Sequence, residues 1–153
     1  MRALPSAPAA PEVAFHFNVA EPLRHLCRLL RKVNLAGMSA LVCVPPGLAR
    51  ELDQALWTFA AEEFIPHASW SADQVVQART PILIADHAAH WPGAQVLVNA
   101  LPLAKLPPGY EGYARVVEIV GLDDDSRAAA RQRWRAYQAL GYPIQRHDVA
   151  AAG

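Results

Sequence analysis

The densest chemistry in the chain lies toward its C-terminal end. From Ser126 to His147 there are five arginines, Arg127, Arg131, Arg133, Arg135 and Arg146, and no acidic residue. Arg127, Arg131 and Arg135 recur at i, i+4 and i+8, which on a helix makes one stripe of guanidinium groups. A merely solvated face interleaves glutamate at such spacings to relieve repulsion, and its absence here weights the stripe toward anion binding. Trp134 and Tyr137 stand among these arginines, either as core knobs or as the wall of an apolar pocket beside the charges. Arginine next to an aromatic ring suits a carboxylate-bearing peptide, or a phosphate with a stacked base.

A second unusual stretch is LDQALWTFAAEEFIPHASW. Trp57, Phe64, Ile65 and Pro66 put large apolar groups around a helix end and its following loop, as either an aromatic satellite of the core or a partner-binding surface. Asp86, His87 and His90 are the best metal candidates, since residues three apart on a helical turn face the same way and imidazole nitrogen suits zinc. No second Cys/His cluster supplies the remaining ligands, so the stretch reads as a polar loop, and no metal or cofactor is expected. A metal-dependent hydrolase centred on those three residues stays as an alternative function. His16, His25 and His147 read as solvated or hydrogen-bonded histidines. The first strand–helix junction is NVAEP and the second VPPGLAR, so neither glycine-rich phosphate loop is present. A G-x-S-x-G elbow is also missing, and Cys43 has no histidine near it in sequence.

The elements that must carry these residues follow from period. Val13 to Val19 alternates as a strand; Pro22 opens a helix with Leu23, Leu26, Cys27, Leu30 and Val33 on one face; Met38 to Val44 is a continuous apolar run, as in a strand covered on both faces. A helix is expected from Leu48 to about Phe59, with Trp57 off its apolar face. Strands are expected over Pro81 to Ala85, Gln95 to Leu101 and Arg115 to Gly121, and a helix from Ser126 to Leu140 behind Asp123, Asp124 and Asp125, whose charges suit a helix N-terminus. The result is one α/β/α three-layer domain with a mostly parallel sheet of about five strands. Residues 1–11 read as a flexible tail, 12–148 as the domain and 149–153 as a disordered end.

Composition bounds the partners. The 153 residues are 53% hydrophobic and 18% charged, which excludes a disordered chain, and 14 basic against 14 acidic residues give a net charge of +0. No global field pulls nucleic acid or anionic membrane toward the protein, so a charged partner must meet a local patch. Cys27 and Cys43 sit in apolar stretches and read as buried thiols in a reducing compartment. The first residues, MRALPSAPAAPE, lack an apolar signal core, and Pro92, Gly93 and Pro102 break the uncharged stretch between Asp86 and Lys105. The expected location is cytoplasmic.

Across nearly the whole chain after the tail, the sequence resembles the chi subunit of bacterial DNA polymerase III. The resemblance rests on F-H-F-N (Phe15 to Asn18), L-D-x-A-L-W (Leu52 to Trp57) followed by F-I-P-H (Phe64 to His67), and the strands P-I-L-I, Q-V-L-V-N and V-V-E-I-V. It ends with R-x-R-W-R-A-Y-x-x-x-G-Y (Arg131 to Tyr142). The resemblance implies a non-catalytic α/β/α accessory protein of the clamp loader. One surface is expected to bind the psi subunit, and another the acidic, Phe-terminated tail of single-stranded DNA-binding protein. Carried over residue by residue, the tail site falls on Arg127, Arg131, Trp134 and Arg135, and the psi surface on Trp57, Phe64 and Pro66. Arg127 and Arg135 stand where the family has lysine and Trp134 where it has tyrosine, changes that keep charge and aromatic surface. Direct nucleic-acid binding by the arginine helix is the third function weighed.

Overall fold

The computed structural model describes residues 10–58, 64–70, 73 and 80–152. Its strands are β1 (Glu12–Val19), β2 (Ala40–Cys43), β3 (His67–Ser69), β4 (Ile82–Ala85), β5 (Val96–Asn99), β6 (Arg115–Gly121) and β7 (Ile144–Asp148). They form one sheet in the order β3-β4-β2-β5-β6-β1-β7, with every neighbouring pair parallel. The helices are α1 (Pro22–Leu35), α2 (Pro46–Thr58), α3 (Asp124–Ala139) and a last short turn, α4 (Val149–Ala152).

Strand alternation divides the core in two. Val42, Ile84, Val98 and Val117 face Leu26, Leu30, Leu52 and Leu56 of α1 and α2. Leu41, Leu83, Leu97 and Val116 face the other way, toward Tyr137 and Ala130 of α3. All four residues of β2, β4 and β5 are buried, the continuous apolar signature of parallel strands covered on both sides. Cys27 belongs to the first of these cores and Cys43 to the second, so the sheet separates the two free thiols.

The sheet has seven strands rather than about five. The two extra ones are its edges, where the period signal is weakest: β3 is three residues long, and β7 presents Gln145, Arg146 and His147 to solvent. A strand without a buried face does not alternate between apolar and polar residues. The α2 helix begins at Pro46, two residues before the expected Leu48, because proline is accommodated in a first helical turn. Asp123 is the N-cap of α3, and its carboxylate accepts from the Ser126 N–H at 2.9 Å. The α4 turn follows β7 directly, where the sequence reading places a disordered end. Residues 1–9 and Phe59 lie outside the described residues.

One charged pair sits inside the second core. Glu118 on β6 is fully buried, and so is Arg133 on α3. The Arg133 Nε–H donates to Glu118 Oε1 at 2.9 Å, Asn99 Nδ2 donates to the same oxygen at 2.8 Å, and the Tyr137 hydroxyl donates to Oε2 at 2.8 Å. Arg133 Nη1 reaches the Leu103 carbonyl. Burial pushes the Glu118 carboxyl above its ordinary range, while Arg133, Asn99 and Tyr137 act against that by binding the ionised form. Arg133 is therefore a core residue, not one of the exposed cations its place among the five arginines implies.

On the opposite face near the edge, three histidines meet. His16 Nδ1 lies 2.9 Å from His25 Nε2, and the His147 ring centroid is 4.9 Å from that of His16. Burial first, and then the charges of His25, His147, Lys32 and Arg115, lower the His16 pKa from 6.5 to about 4.

Two predictions follow from these groups. Arg133→Met strands a buried carboxylate and should cost about 3–5 kcal/mol in urea unfolding, with part of the loss recovered when Glu118→Gln is added. His16 takes up its proton near pH 6.5 when unfolded but only near 4 when folded. The unfolded chain therefore binds more protons across that window, and stability held above pH 6.5 should fall as pH drops toward 4. Melting temperatures measured over that range should decline less steeply in His16→Gln.

Candidate functional site

The β1 strand continues into α1 on one face of the sheet, and its neighbour β6 continues into α3 on the other. Adjacent strands whose connections leave on opposite faces open a crevice beyond their carboxyl ends, the place where parallel sheets receive ligands. Here that crevice is a cleft of about 470 Å³. Phe15, Phe17, Val120 and Trp134 make its apolar lining, and Arg127, Arg131 and Arg146 its cationic one. The Phe15 and Trp134 ring centroids are 5.0 Å apart, so the half-buried indole rests on the fully buried phenyl ring.

Asn18 shapes the mouth. Its φ of +60° is a left-handed conformation uncommon outside glycine but tolerated by asparagine, and it falls where the β1–β6 register breaks between His16 and Val19. Turned outward there, the amide holds two segments at once. Its Nδ2 donates to Asp148 Oδ1 at 3.1 Å, and its Oδ1 accepts from Arg127 Nη2 at 3.2 Å. Across the cleft, the Arg146 guanidinium stands 5.4 Å from the Phe17 ring centroid and 5.8 Å from that of Trp134. Among the described residues no carboxylate forms an ion pair with Arg127, Arg131 or Arg146. An apolar floor beneath guanidinium groups, of which Arg127 also faces the Asp123 carboxylate, can take an anion that carries a ring.

Of the residues singled out in sequence, Arg127, Arg131 and Trp134 meet in this cleft. Arg135 is exposed one turn further along α3 and is not part of the lining. The two readings open for the aromatics divide between them: Trp134 lines the pocket, and Tyr137 is a core residue bonded to Glu118. Asn18, Phe17 and Arg146 were not singled out as site residues. The first two lie in the F-H-F-N motif, and Arg146 needed β7 to be recognised before it had a position.

The aromatic stretch forms a separate patch. Trp57 is 59% exposed and Phe64 53% exposed, with ring centroids 4.8 Å apart. Both rings lie against His67, at 5.3 and 6.1 Å between centroids. His67 is anchored beneath them, Nδ1 at 2.7 Å from the Ile65 carbonyl and Nε2 at 3.1 Å from Asp53. Pro66 is half-buried beside them, and residues 59–63 lie outside the described residues. Exposed rings on a rigid histidine are surface, so the satellite-core reading of Trp57 and Phe64 does not hold.

The third cluster does not assemble. His87 Nδ1 bonds Asp86 Oδ1 at 2.9 Å in solvent, whereas the His90 ring lies against Gly112 and 6.3 Å from the Tyr113 ring centroid. Asp86 is held below the ordinary carboxylate range by the His87 hydrogen bond. Among the described residues no group of three or more His, Cys, Asp or Glu side chains is arranged to hold a metal ion. Burial pushes the Cys43 thiol far above its ordinary range, which removes it as a nucleophile.

Comparison with known proteins bears on the same residues. At the level of fold, the sheet and helices superpose on the C-terminal domain of the DEAD-box protein Dbp5 (TM-score 0.54, 17% identity, covering 91% of this chain and 90% of that one). They also match S. cerevisiae Dbp5 bound to RNA and ADP BeF3 (TM-score 0.60, 16% identity, 93% of this chain and 42% of that one). Identities this low speak to architecture alone. In sequence, the chain is 34% identical over 129 residues to the DNA polymerase III subunit chi of Pseudomonas aeruginosa, covering 83% of this chain and 86% of that protein. It is 28% identical to the subunit of the same name in Escherichia coli, over 78% of this chain and 80% of that protein. The family model described as DNA polymerase III chi subunit, HolC, matches residues 11–145. That span holds the cleft's arginines from α3 and the exposed Trp57 and Phe64 together, and the chain belongs to the DNA polymerase III chi subunit family.

Proposed function

We propose that this chi-family chain has no catalytic activity of its own and links the clamp loader, through psi, to the acidic C-terminal tail of single-stranded DNA-binding protein. The observation that carries this reading is the cleft at the β1–β6 crevice, an aromatic floor rimmed by arginines that form no ion pair with a carboxylate among the described residues. A tail of acidic residues that ends in Pro and Phe supplies both complements, carboxylates for Arg127 and Arg131 and a ring for the surface between Phe15, Phe17 and Trp134. Arg135 lies outside the cleft lining and contributes as a more distant charge on the same helix.

The second half of the link is the Trp57/Phe64 patch. Two exposed rings in tilted contact and backed by a buried histidine are a preorganised contact, which costs little ordering on association. A partner that covers them buries large aromatic area at the centre of an interface, where hot spots concentrate. The cleft is lined from β1, β6, β7 and α3, whereas this patch lies at the end of α2 and in the segment before β3, so psi and the tail have separate seats. No helix among the described residues is long and apolar enough to cross a membrane.

A titration comparing the acidic tail peptide with single-stranded oligonucleotide tests the first surface. The peptide should bind, more weakly as salt rises, because exposed charges are screened over about 8 Å at physiological ionic strength. Arg131→Ala should cost about 1.5–3 kcal/mol of peptide affinity. Tight oligonucleotide binding with the peptide ignored would instead assign the stripe to nucleic acid. For the second surface, Trp57→Ala combined with Phe64→Ala should abolish co-purification with psi and leave peptide affinity unchanged, and retention of psi by the double variant would remove the patch from that contact.

A further inference from the structure

We infer that the solvent face of α1 is a second anion-binding surface, a row of cations that takes the phosphate backbone of single-stranded nucleic acid. It lies across the sheet from the cleft and needs no contribution from the residues there.

Arg24, Arg28 and Lys32 recur at i, i+4 and i+8 of α1, and all three are exposed. At about 1.5 Å per residue the row is about 12 Å long. Leu26, Leu30 and Val33 hold the opposite side of the helix in the core, so the row points outward. No residue of α1 is acidic, and among the described residues no carboxylate forms an ion pair with these three cations. Folding gains nothing from this arrangement. Like charges at i and i+4 repel, and Arg24 stands in the first turn, where the helix dipole already disfavours a cation. The flank of the row extends the same field: His25 of α1 meets His16 of β1, and His16 in turn meets His147 of β7. Burial first, and then the charges of His147, Arg28 and Lys32, hold the His25 pKa below its ordinary value. A neighbouring group thus registers the same uncompensated positive charge.

Three kinds of polyanion carry enough charge for such a row, and the rest of the face chooses among them. An anionic membrane also asks for apolar side chains to enter it, but the apolar face of α1 is spent in the core, and Leu35, its last residue, is the one large apolar side chain it leaves exposed. An acidic protein surface asks for an apolar centre to bury, rich in aromatic rings, and α1 has no Phe, Tyr or Trp. A phosphate backbone asks only for charge. A flexible single strand can lay successive phosphates along a straight row, whereas those of a rigid duplex wind away from it. With no aromatic ring to stack a base, the contact is with charge and not with sequence.

Titration of fluorescent oligo(dT) at rising salt tests this. The proteins are the wild type, Arg28→Glu, Arg131→Ala and the triple variant Arg24→Gln/Arg28→Gln/Lys32→Gln; a duplex, polyglutamate and phosphatidylserine vesicles are titrated beside the oligonucleotide. Log affinity of the wild type for oligo(dT) should fall against log salt with a slope of about −2, as three phosphate contacts on a single strand require. At low salt the triple variant should lose at least tenfold in affinity and most of that slope, Arg28→Glu at least threefold, and Arg131→Ala less than twofold. The melting temperature of the triple variant should hold or rise, because repulsion within the row is removed; if it falls, Arg28→Glu alone decides. Failure of the wild type to bind oligo(dT) would overturn the inference, as would wild-type affinity in both α1 variants. An equal loss in Arg131→Ala would move the contact to α3 and overturn it too. Tighter binding of the duplex, polyglutamate or the vesicles than of oligo(dT) would assign the face to that other polyanion and overturn the choice made here.

Discussion

The rest of the structure turns on the buried pair of Glu118 and Arg133. Two ions removed from water are held in the second core only because every polar atom around them is engaged, by Asn99 from β5, Tyr137 from α3 and the Leu103 carbonyl from the following loop. Donors from β5 and α3 thus converge on one carboxylate of β6 while the loop after β5 holds Arg133, and among the described residues no buried side-chain polar atom is left without a partner. A hydrophobic contact would permit α3 to roll on the sheet; a bidirectional set of hydrogen bonds does not. Successive residues on a helix are separated by roughly 100°. With Arg133, Tyr137 and Ala130 fixed inward, Trp134 must lie at the margin, Arg127 and Arg131 beyond it over the crevice, and Arg135 furthest round. An interior ion pair therefore sets the direction of the exterior charges.

Much of this was legible in the chain. The strands β2 and β4 are apolar on both faces, and β5 and β6 nearly so, which announces them by composition alone, and α3 is marked by its acidic start and its arginine period. Arg133 is only counted among the five arginines in the sequence, because spacing keeps it off the stripe but does not report what the facing strand offers it. Only knowing that Glu118 points inward from β6 separates a core arginine from a surface one. The edges escaped for a related reason: β3 is short and β7 is polar, so each is a strand by virtue of its hydrogen-bonded neighbour rather than its own side chains. With β7 unrecognised, Arg146 had no place to stand, and Asn18 reads only as a polar position of the first strand.

The likeness to the Dbp5 domain puts the site in perspective. Both chains wind a parallel sheet between helices, yet this one has no glycine-rich junction where β1 or β2 gives way to a helix; those junctions read NVAEP and VPPGLAR. The crevice is a property of the winding, whereas what fills it is a property of the side chains. Here the strand end contributes phenylalanines and an asparagine in place of backbone amides arranged for phosphate, and the helix contributes cations along its length rather than its N-terminus, which is occupied by Asp123, Asp124 and Asp125.

The pairing of β1 with β7 has a consequence for when the cleft comes into being. Asn18 and Asp148 are separated by 130 positions, and the cleft draws its lining from the first strand, the helix after the sixth and the seventh. Contacts of such long sequence separation carry a large loop-closure entropy, which slows folding. A chain emerging from the ribosome holds the Trp57 and Phe64 rings long before it possesses β7, and an incomplete product truncated ahead of Arg146 lacks one wall of the cleft altogether. The cleft therefore exists only in a chain completed through β7 in which the first and last strands of the sheet have paired.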